Sequence, residues 1–436
     1  MNQRNGQRYW RSLLVIIWVW LTAILFSENW YKGNLHCHSF WSDGREFPEM
    51  VAAWYKENGY HFLALTDHNT VATGEKWANI TSAEKNHGLL AACQKRFPQN
   101  GVITRQKEEK LLAQLRTFEE VQKLIEEPGR FILIQGEELS AKYLDVPVHV
   151  NIININQPID PLLGTDAAST LKKNVQAALK AAGEKGLVFI NHPNYRYALT
   201  GEDLAETEAC FFEVWNANHW ISNNPEDDKH PGTEKLWDIA NSLRLLKLKK
   251  PLLYGLATDD AHSYHDFAPN KANPGRAFVM VKAKELTGSA ILQAIREGNF
   301  YSSTGVILRE SKFEPKEKRL TVEVQPDENT QYTIEFIGTL VKADSQPEKI
   351  IPSEQPAEDQ QGKKAPVRFT SVYKPEIGQV FLTVRGHRAT YILTGNELFV
   401  RAVITSNRPV PWLPANSGIY QKAWTQPITL FVKDSS

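Results

Sequence analysis

Between residues 33 and 305, seven short apolar runs (GNLHCH, YHFLALT, RFILIQG, VHVNIIN, GLVFIN, CFFEVWN and PLLYGLAT) are separated by helix-like stretches. This alternation constrains the fold strongly, because a helix must carry the chain back across the sheet before the next parallel strand can start. Seven such units predict an α/β barrel or barrel-like sheet. Helices are predicted over residues 47–58, 106–127 and 168–185, each closing near Gly or Pro. Residues 69–106 exceed an ordinary connection and read either as a lid over a site or as a helical insertion.

After Gly305 the texture changes. RLTVEVQ, QYTIEFIG, GQVFLTVRG, ATYILTG and ELFVRAVIT are short, β-branched and alternating, which predicts an all-β, sandwich-like C-terminal domain over residues 306–436. Residues 343–366, dominated by Pro, Glu, Gln and Lys, read as an exposed loop between its strands. Trp412 and Trp424 fit either the core of that sandwich or a sugar-binding platform.

The first 30 residues stand apart. Arg4, Arg8 and Arg11 precede the uninterrupted apolar run from Ser12 to Phe26, and no acid occurs before Glu28. This is the make-up of an export signal peptide or an N-terminal membrane anchor. In either case the arginines stay on the cytoplasmic side and the remainder lies outside the cytoplasm, in the periplasm, outside the cell or tethered to the membrane. Over the whole chain the charge is balanced, with 50 basic and 50 acidic residues, so no general basic field invites a nucleic acid. Three cysteines, Cys37, Cys93 and Cys210, are too few for a disulfide framework and read as small buried residues.

Chemistry-bearing residues collect just after the apolar runs: His36 and His38, then Asp43; Asp67 and His68; Glu137; His192; Asp260 and His262. Parallel β/α folds gather their functional groups at these carboxyl ends. His149 is the exception, since it begins its run. Along a strand, His36 and His38 share one face while Cys37 takes the other. So many imidazoles and carboxylates in one pocket would repel or remain desolvated unless cations held them together. The mixture of His and carboxylate suits Zn²⁺, Mn²⁺ or Fe²⁺, and the number of donors exceeds one coordination shell. Two or three divalent ions are therefore expected, supporting hydrolysis by a hydroxide bridging the metals.

These motifs, HCHSFWSDG at 36–44, TDHN at 66–69, GEE at 136–138, NHP at 191–193 and DAH at 260–262, resemble those of the polymerase and histidinol phosphatase (PHP) superfamily of metal-dependent phosphoesterases. The stretch PGRAFVMVKAKELTGSAILQAIREGNFYSSTG and the β-rich segment after it are similar to an exported, carbamate-hydrolase-like branch of that superfamily. The resemblance implies a distorted (β/α)7, TIM-like barrel over residues 31–305 and a di- or trinuclear centre. It implies the ligands His36, His38, Asp43, His68, Glu137, His149, His192, Asp260 and His262, with Glu137 as the bridge. Of these, His36, His38, Asp43, His68, Glu137, Asp260 and His262 would carry catalysis, and Asp67 and Asp259 would orient histidines from behind. The substrate it implies is a small phosphate ester, with a carbamate or amide as the alternative and a silent barrel carrying a binding β-domain as the third reading. A phosphate also calls for a cation beside the metals. Arg45, Arg196 and Arg276 are the candidates, and Asn69 and Asn194 are candidate substrate hydrogen-bonders.

Overall fold

The computed structural model describes residues 28–352 and 369–430. The apolar N-terminal run lies outside them, and among the described residues no helix is long and apolar enough to cross a membrane. The chain enters as β1 (Asn29–Asn34), passes through a helix opened by Pro48 (Pro48–Glu57) and returns as β2 (Phe62–Leu65), parallel to β1. An excursion follows, in which β3 (Trp77–Asn79), two short helices, β4 (Thr104–Lys107) and β5 (Lys110–Gln114) build a separate three-stranded sheet.

The long helix expected over 106–127 is therefore two strands and a short helix. Glu108, at φ +54°, turns the chain between β4 and β5. The helix starts only at Phe118, where Thr117 and Glu120 form a capping box. The excursion is an insertion and not a lid. Ile80, Leu89, Cys93, Ala113 and Leu115 bury themselves against Phe47, Val51 and Tyr55.

Next come β6 (Ile132–Tyr143), parallel to β2, and β7 (Val146–Ile153), antiparallel to β6. Then follow β8 (Leu187–Ile190), antiparallel to β7, β9 (Phe211–Asn216) and β10 (Tyr254–Thr258), the last three parallel to one another. β11 (Phe278–Ala283) turns back along β1 and is paired in turn by β12 (Phe300–Ser303). Helices Ala167–Ala182, Gly201–Glu206, Thr233–Leu243 and Gly288–Arg296 lie between consecutive strands.

All of these strands except β3 to β5 belong to one 13-stranded sheet, and the expected barrel is not closed by a strand ladder. The reason is local. β1 already has β2 on one edge and β11 on the other, the latter pairing ending at Gly33–Val279. Only beyond that point is the edge free, and there Asp260 N–H donates to His36 O (3.0 Å) and His38 N–H to Ala261 O (2.9 Å). The two ends of the α/β part are stitched together at the residues that carry the chemistry.

The remaining strands are antiparallel, as their alternation predicts. They are β13 (Leu308–Glu314), β14 (Arg319–Val324), β15 (Tyr332–Leu340), β16 (Lys349–Pro352), β17 (Phe369–Val372), β18 (Gln379–Arg385), β19 (Arg388–Ile392), β20 (Glu397–Pro409) and β21 (Tyr420–Thr425). β21 pairs with β12, so the large sheet runs on through β21, β20, β15 and β18. Trp424 is buried and stacked on Trp215, which makes it a core residue.

Arg401 of β20 fastens this part to the helix Thr233–Leu243. Its guanidinium grips Asp238 with two hydrogen bonds (2.9 and 2.8 Å) in a fully buried setting and lies over the Trp237 ring. Arg401→Ala should lower unfolding free energy by about 3–5 kcal/mol, since it strands a buried carboxylate. Denaturant titration would measure this, and a loss below about 1 kcal/mol, as for an exposed pair, would show that the clasp is dispensable.

Candidate metal centre

The alternation that buries the sheet's inner face also builds the site. Phe62, Ala64, Ile134, Ile153, Leu187, Phe189, Phe211 and Leu256 form one buried cluster. Continued by an even number of residues along each strand, the same parity reaches His68, Glu138, His149, Asn191, Glu213 and Asp260. His149 no longer breaks the pattern. Because β7 runs opposite to β6 and β8, its beginning lies beside their functional ends.

At the centre stands Glu138, buried to 1% exposure. Its Oε2 lies 3.4 Å from His36 Nε2, 3.3 Å from His38 Nε2 and 2.7 Å from His68 Nδ1. Its Oε1 lies 3.0 Å from His149 Nδ1 and 3.3 Å from His192 Nε2. Asp260 Oδ1 adds a second carboxylate 3.3 Å from His36 Nε2 and 3.1 Å from His38 Nε2. Nearer the solvent, Asp43, whose side chain is 61% exposed, places Oδ1 3.3 Å from His262 Nε2 and 3.6 Å from His68 Nε2.

Three overlapping donor groups result: His36, His38 and Asp260; His38, Asp43, His68 and His262; and His68, Glu138 and His149. Within each group the ligand atoms lie within 4.8 Å of one another. His36 Nδ1 donates to Glu213 Oε1 (2.7 Å) and His262 Nδ1 to the Asp260 carbonyl (2.9 Å), which leaves both Nε2 atoms as acceptors facing inward. His36 Nε2 and His38 Nε2 are only 3.1 Å apart. The buried Glu138 Oε2 and His149 Nε2 have no hydrogen-bond partner. Buried acceptor atoms left without a hydrogen-bond partner beside converging nitrogens and carboxylate oxygens are what a divalent cation satisfies, so this donor set fits such ions.

Without a cation the charges are uneven. Burial, together with His262 and His68, pushes His38 down to about 3. Burial also works against His68, yet the carboxylates of Glu138, Asp43 and Asp260 outweigh it and raise that ring to about 9. Glu138 and Asp260 stay well below the carboxylate range despite burial, because histidines surround them. The backbone is bent where it delivers these groups. Asn69, His192 and Asp260 all have positive φ (49°, 22° and 48°), a conformation held only where the surroundings impose it. Gly44 is required for a different reason: a Cβ there would stand 2.4 Å from the His38 carbonyl carbon.

His36, His38, Asp43, His68, His149, His192, Asp260 and His262 are thus brought together as expected. Glu137 is not. It pairs with Ile152 on the opposite face of β6, where its Oε2 accepts from Ile159 N–H (3.1 Å) and burial raises its pKa to about 7. The place among the histidines that the resemblance implies for Glu137 is taken by Glu138.

Asp67 meets no imidazole directly and reaches His38 only through Ser42, whose Oγ lies 3.4 Å from His38 Nδ1. It accepts from Ser39 N–H, Ser39 Oγ and Ser42 Oγ (2.8, 2.8 and 2.6 Å) and so holds the turn that presents Asp43. Asp259 likewise binds the Tyr55 hydroxyl and the amides of Gly275, Arg276 and Ala277, away from the imidazoles. Arg276 is buried, bonded to Ala268 O and Asn273 Oδ1, and absent from the walls of the metal cleft. Asn194 anchors Ser222 O and Pro231 O. Asn69, Arg45 and Arg196 do line the cleft, which measures about 1000 Å³. The Asn69 side chain accepts from Ser140 N–H, and Arg196 pairs with Asp145 (3.3 Å).

Glu213 was hidden in the sequence inside the apolar run CFFEVWN. It is fully buried and receives His36 Nδ1, Thr258 Oγ1 and His192 N–H. A lone carboxylate at an inward position of an otherwise apolar strand was the available clue. Ser140, which meets His68 Nδ1 at 2.5 Å, and Asn191, which donates to Glu138 Oε1 (2.7 Å), carried no such mark.

The chain is similar in structure to PHP-like metal-dependent phosphoesterases. A two-domain protein of Bacteroides vulgatus containing a predicted PHP-like metal-dependent phosphoesterase is 13% identical, with a TM-score of 0.37 over 92% of this chain and 95% of that one. A protein of Bifidobacterium adolescentis assigned as a metal-dependent phosphoesterase is 15% identical, with a TM-score of 0.28 over 61% of this chain and 94% of that one. An amidohydrolase of Chromobacterium violaceum is 21% identical, with a TM-score of 0.15 over 35% of this chain and 39% of that one. No family model matches the chain, and no curated protein does. These likenesses are distant, and the chemistry is read from the side chains themselves.

Glu138→Gln should strip metal from the purified protein, whereas Glu137→Gln should retain it; metal analysis of the two variants decides between the adjacent acids. Glu213→Gln should weaken metal affinity about 10–100-fold by freeing the His36 tautomer, read in a competition titration with a chelator. Since His68 without a cation is protonated up to about pH 9, loading at pH 7 should release a proton, and affinity should weaken as pH falls below about 9. Calorimetry in buffers of different ionisation enthalpy would count that proton.

Proposed function

We propose that the protein is a multinuclear metal-dependent phosphoesterase of the PHP type, holding two or three Zn²⁺, Mn²⁺ or Fe²⁺ ions. The observation that carries this reading is the set of three donor groups, linked through His38 and His68, opening onto a cleft whose walls include Arg45, Lys142, Arg196 and Lys271. An anion fits such walls better than a neutral carbamate. Bound divalent ions would supply Lewis acidity and a more acidic water.

The chain's own residues do the rest. Glu213 and the Asp260 carbonyl fix the tautomers of His36 and His262. Asn216 and Asn218 hold Asp260 Oδ2 (3.2 and 3.3 Å), leaving Oδ1 for the centre. Asp67 fixes the turn that brings Asp43 to the mouth, and the rim cations draw the phosphate toward it. The chemistry is proposed to belong to residues 31–305, with residues 306–436 as a β-domain packed on them. Export, by cleaved signal or by anchor, is proposed from the arginines ahead of the apolar run 12–26.

Protein purified without chelator should carry two or three divalent ions per chain and hydrolyse aryl phosphate mono- or diesters with Mn²⁺ or Zn²⁺. The double variant His36→Ala, His38→Ala should lose turnover by several orders of magnitude. Hydrolysis of an aryl carbamate in place of every phosphate would move the assignment to the second reading, and protein that neither binds metal nor turns over either substrate would end it.

A further inference from the structure

The large apolar side chains left exposed are scattered, with one exception in a meaningful place. Trp220 is 69% exposed, more than any other large apolar side chain among the described residues, and it stands in the wall of the metal cleft. An indole left in water forgoes a substantial apolar burial. A floppy loop would account for that exposure, but this loop is pinned. Ala217 N–H donates to Thr258 O (2.9 Å), Trp220 N–H to Asn218 Oδ1 (3.3 Å) and Ile221 N–H to Asn218 O (3.0 Å). Asn218 Nδ2 in turn reaches Asp260 Oδ2 (3.3 Å), so the loop is tied to a donor of the candidate centre.

The loop also has a second side. Asn218, His219 and Ile221 line both the metal cleft and an adjoining cleft of about 330 Å³ that continues to Trp412 and Leu413. That extension contains Arg276, whose guanidinium is bonded internally, and no other Arg or Lys. The cations Arg45, Lys142, Arg196 and Lys271 are all on the metal side. All the lining cations except Arg276 therefore lie on the metal side of the Trp220 loop, and the adjoining cleft mixes the apolar Trp215, Trp412, Leu413 and Ile419 with asparagine amides and the Glu226 carboxylate.

We propose that Trp220 is the platform on which a planar, unsaturated group of the substrate stacks while its phosphate lies at the metal centre, so that the preferred substrates are aryl phosphoesters and not small alkyl ones. This rests on the phosphoesterase reading and deepens it. The indole face gives a ring both apolar contact and an offset-stacking partner. The pinned loop holds the Trp220 backbone in place through Asn218, which is tied to Asp260, so little loop ordering is lost on binding.

The test uses the full metal-loaded chain and two phosphonates that cannot be hydrolysed at the C–P bond, 1-naphthylphosphonate and methylphosphonate, with dissociation constants from calorimetry. The unaltered protein should bind the naphthyl compound about five- to tenfold more tightly than the methyl one, the size of an aromatic pair's contribution. Trp220→Ala should bring that ratio close to one and Trp220→Phe should retain most of it, with metal content unchanged in both as the check on folding. An unaltered ratio in Trp220→Ala, or no naphthyl preference in the parent, overturns the proposal while leaving the phosphoesterase reading intact. If neither phosphonate binds and no phosphate ester is cleaved by metal-loaded protein, the phosphoesterase reading has failed and this inference falls with it.

Discussion

The structure depends on one buried carboxylate. Five imidazoles, those of His36, His38, His68, His149 and His192, approach Glu138 within 3.4 Å. A neutral imidazole can offer the carboxylate one N–H, as His149 Nδ1 and His192 Nε2 do at Oε1 (3.0 and 3.3 Å), but Oε2 has no hydrogen-bond partner among the rings around it, and protonated rings repel one another. The uneven titration of neighbouring rings, His38 near 3 and His68 near 9, expresses that conflict. Divalent cations would resolve it, and Glu213, Thr258, Asn191 and Ser140 form the scaffolding that holds these groups in place.

Topology explains how strands distant in sequence meet at one carboxylate. β11 pairs with β1 from Asn29 to Gly33 and β2 takes the other edge at Gly33 and Asn34, so β10 cannot reach this segment until the β11 pairing ends. The first free backbone groups are those of residues 36–38, and they bond residues 260 and 261. The seam of the sheet and the centre of the site are thus the same place. Donors from the first and last strands of the α/β part converge because the backbone is stitched there and nowhere else along β1.

Much of this was legible in the sequence because two periodicities coincide. Strand runs ending in His or Asp gave seven of the nine expected ligands, all but His149 and Glu137, and the change of texture after Gly305 marked the antiparallel strands. What could not be read depended on direction and parity. The reversal of β7 is invisible in an apolar run, so His149 seemed misplaced. In GEE, two adjacent acids point to opposite faces, and only the inward parity of Ile134 selects Glu138. Glu213 went unnoticed because an acid within a strand carries no motif, and the hairpin of β4 and β5 because KEEKLLAQL has the composition of a helix.

The two halves of the cluster are secured by different means, and this bears on how substrate enters. On the inner side, burial and hydrogen bonds to Glu213 immobilise His36, so its geometry follows from the core. On the outer side Asp43 is mostly exposed, and burial cannot fix it. Its position is set by the backbone instead. Gly44 lets the turn press against the His38 carbonyl, Arg45 N–H bonds the His262 carbonyl, and Asp67 ties Ser39 and Ser42 from beneath. An exposed ligand on a rigid turn leaves the solvent side of the centre open without letting the donor wander. The cleft therefore leaves the outer donors open to solvent while the inner ones stay fixed in the core.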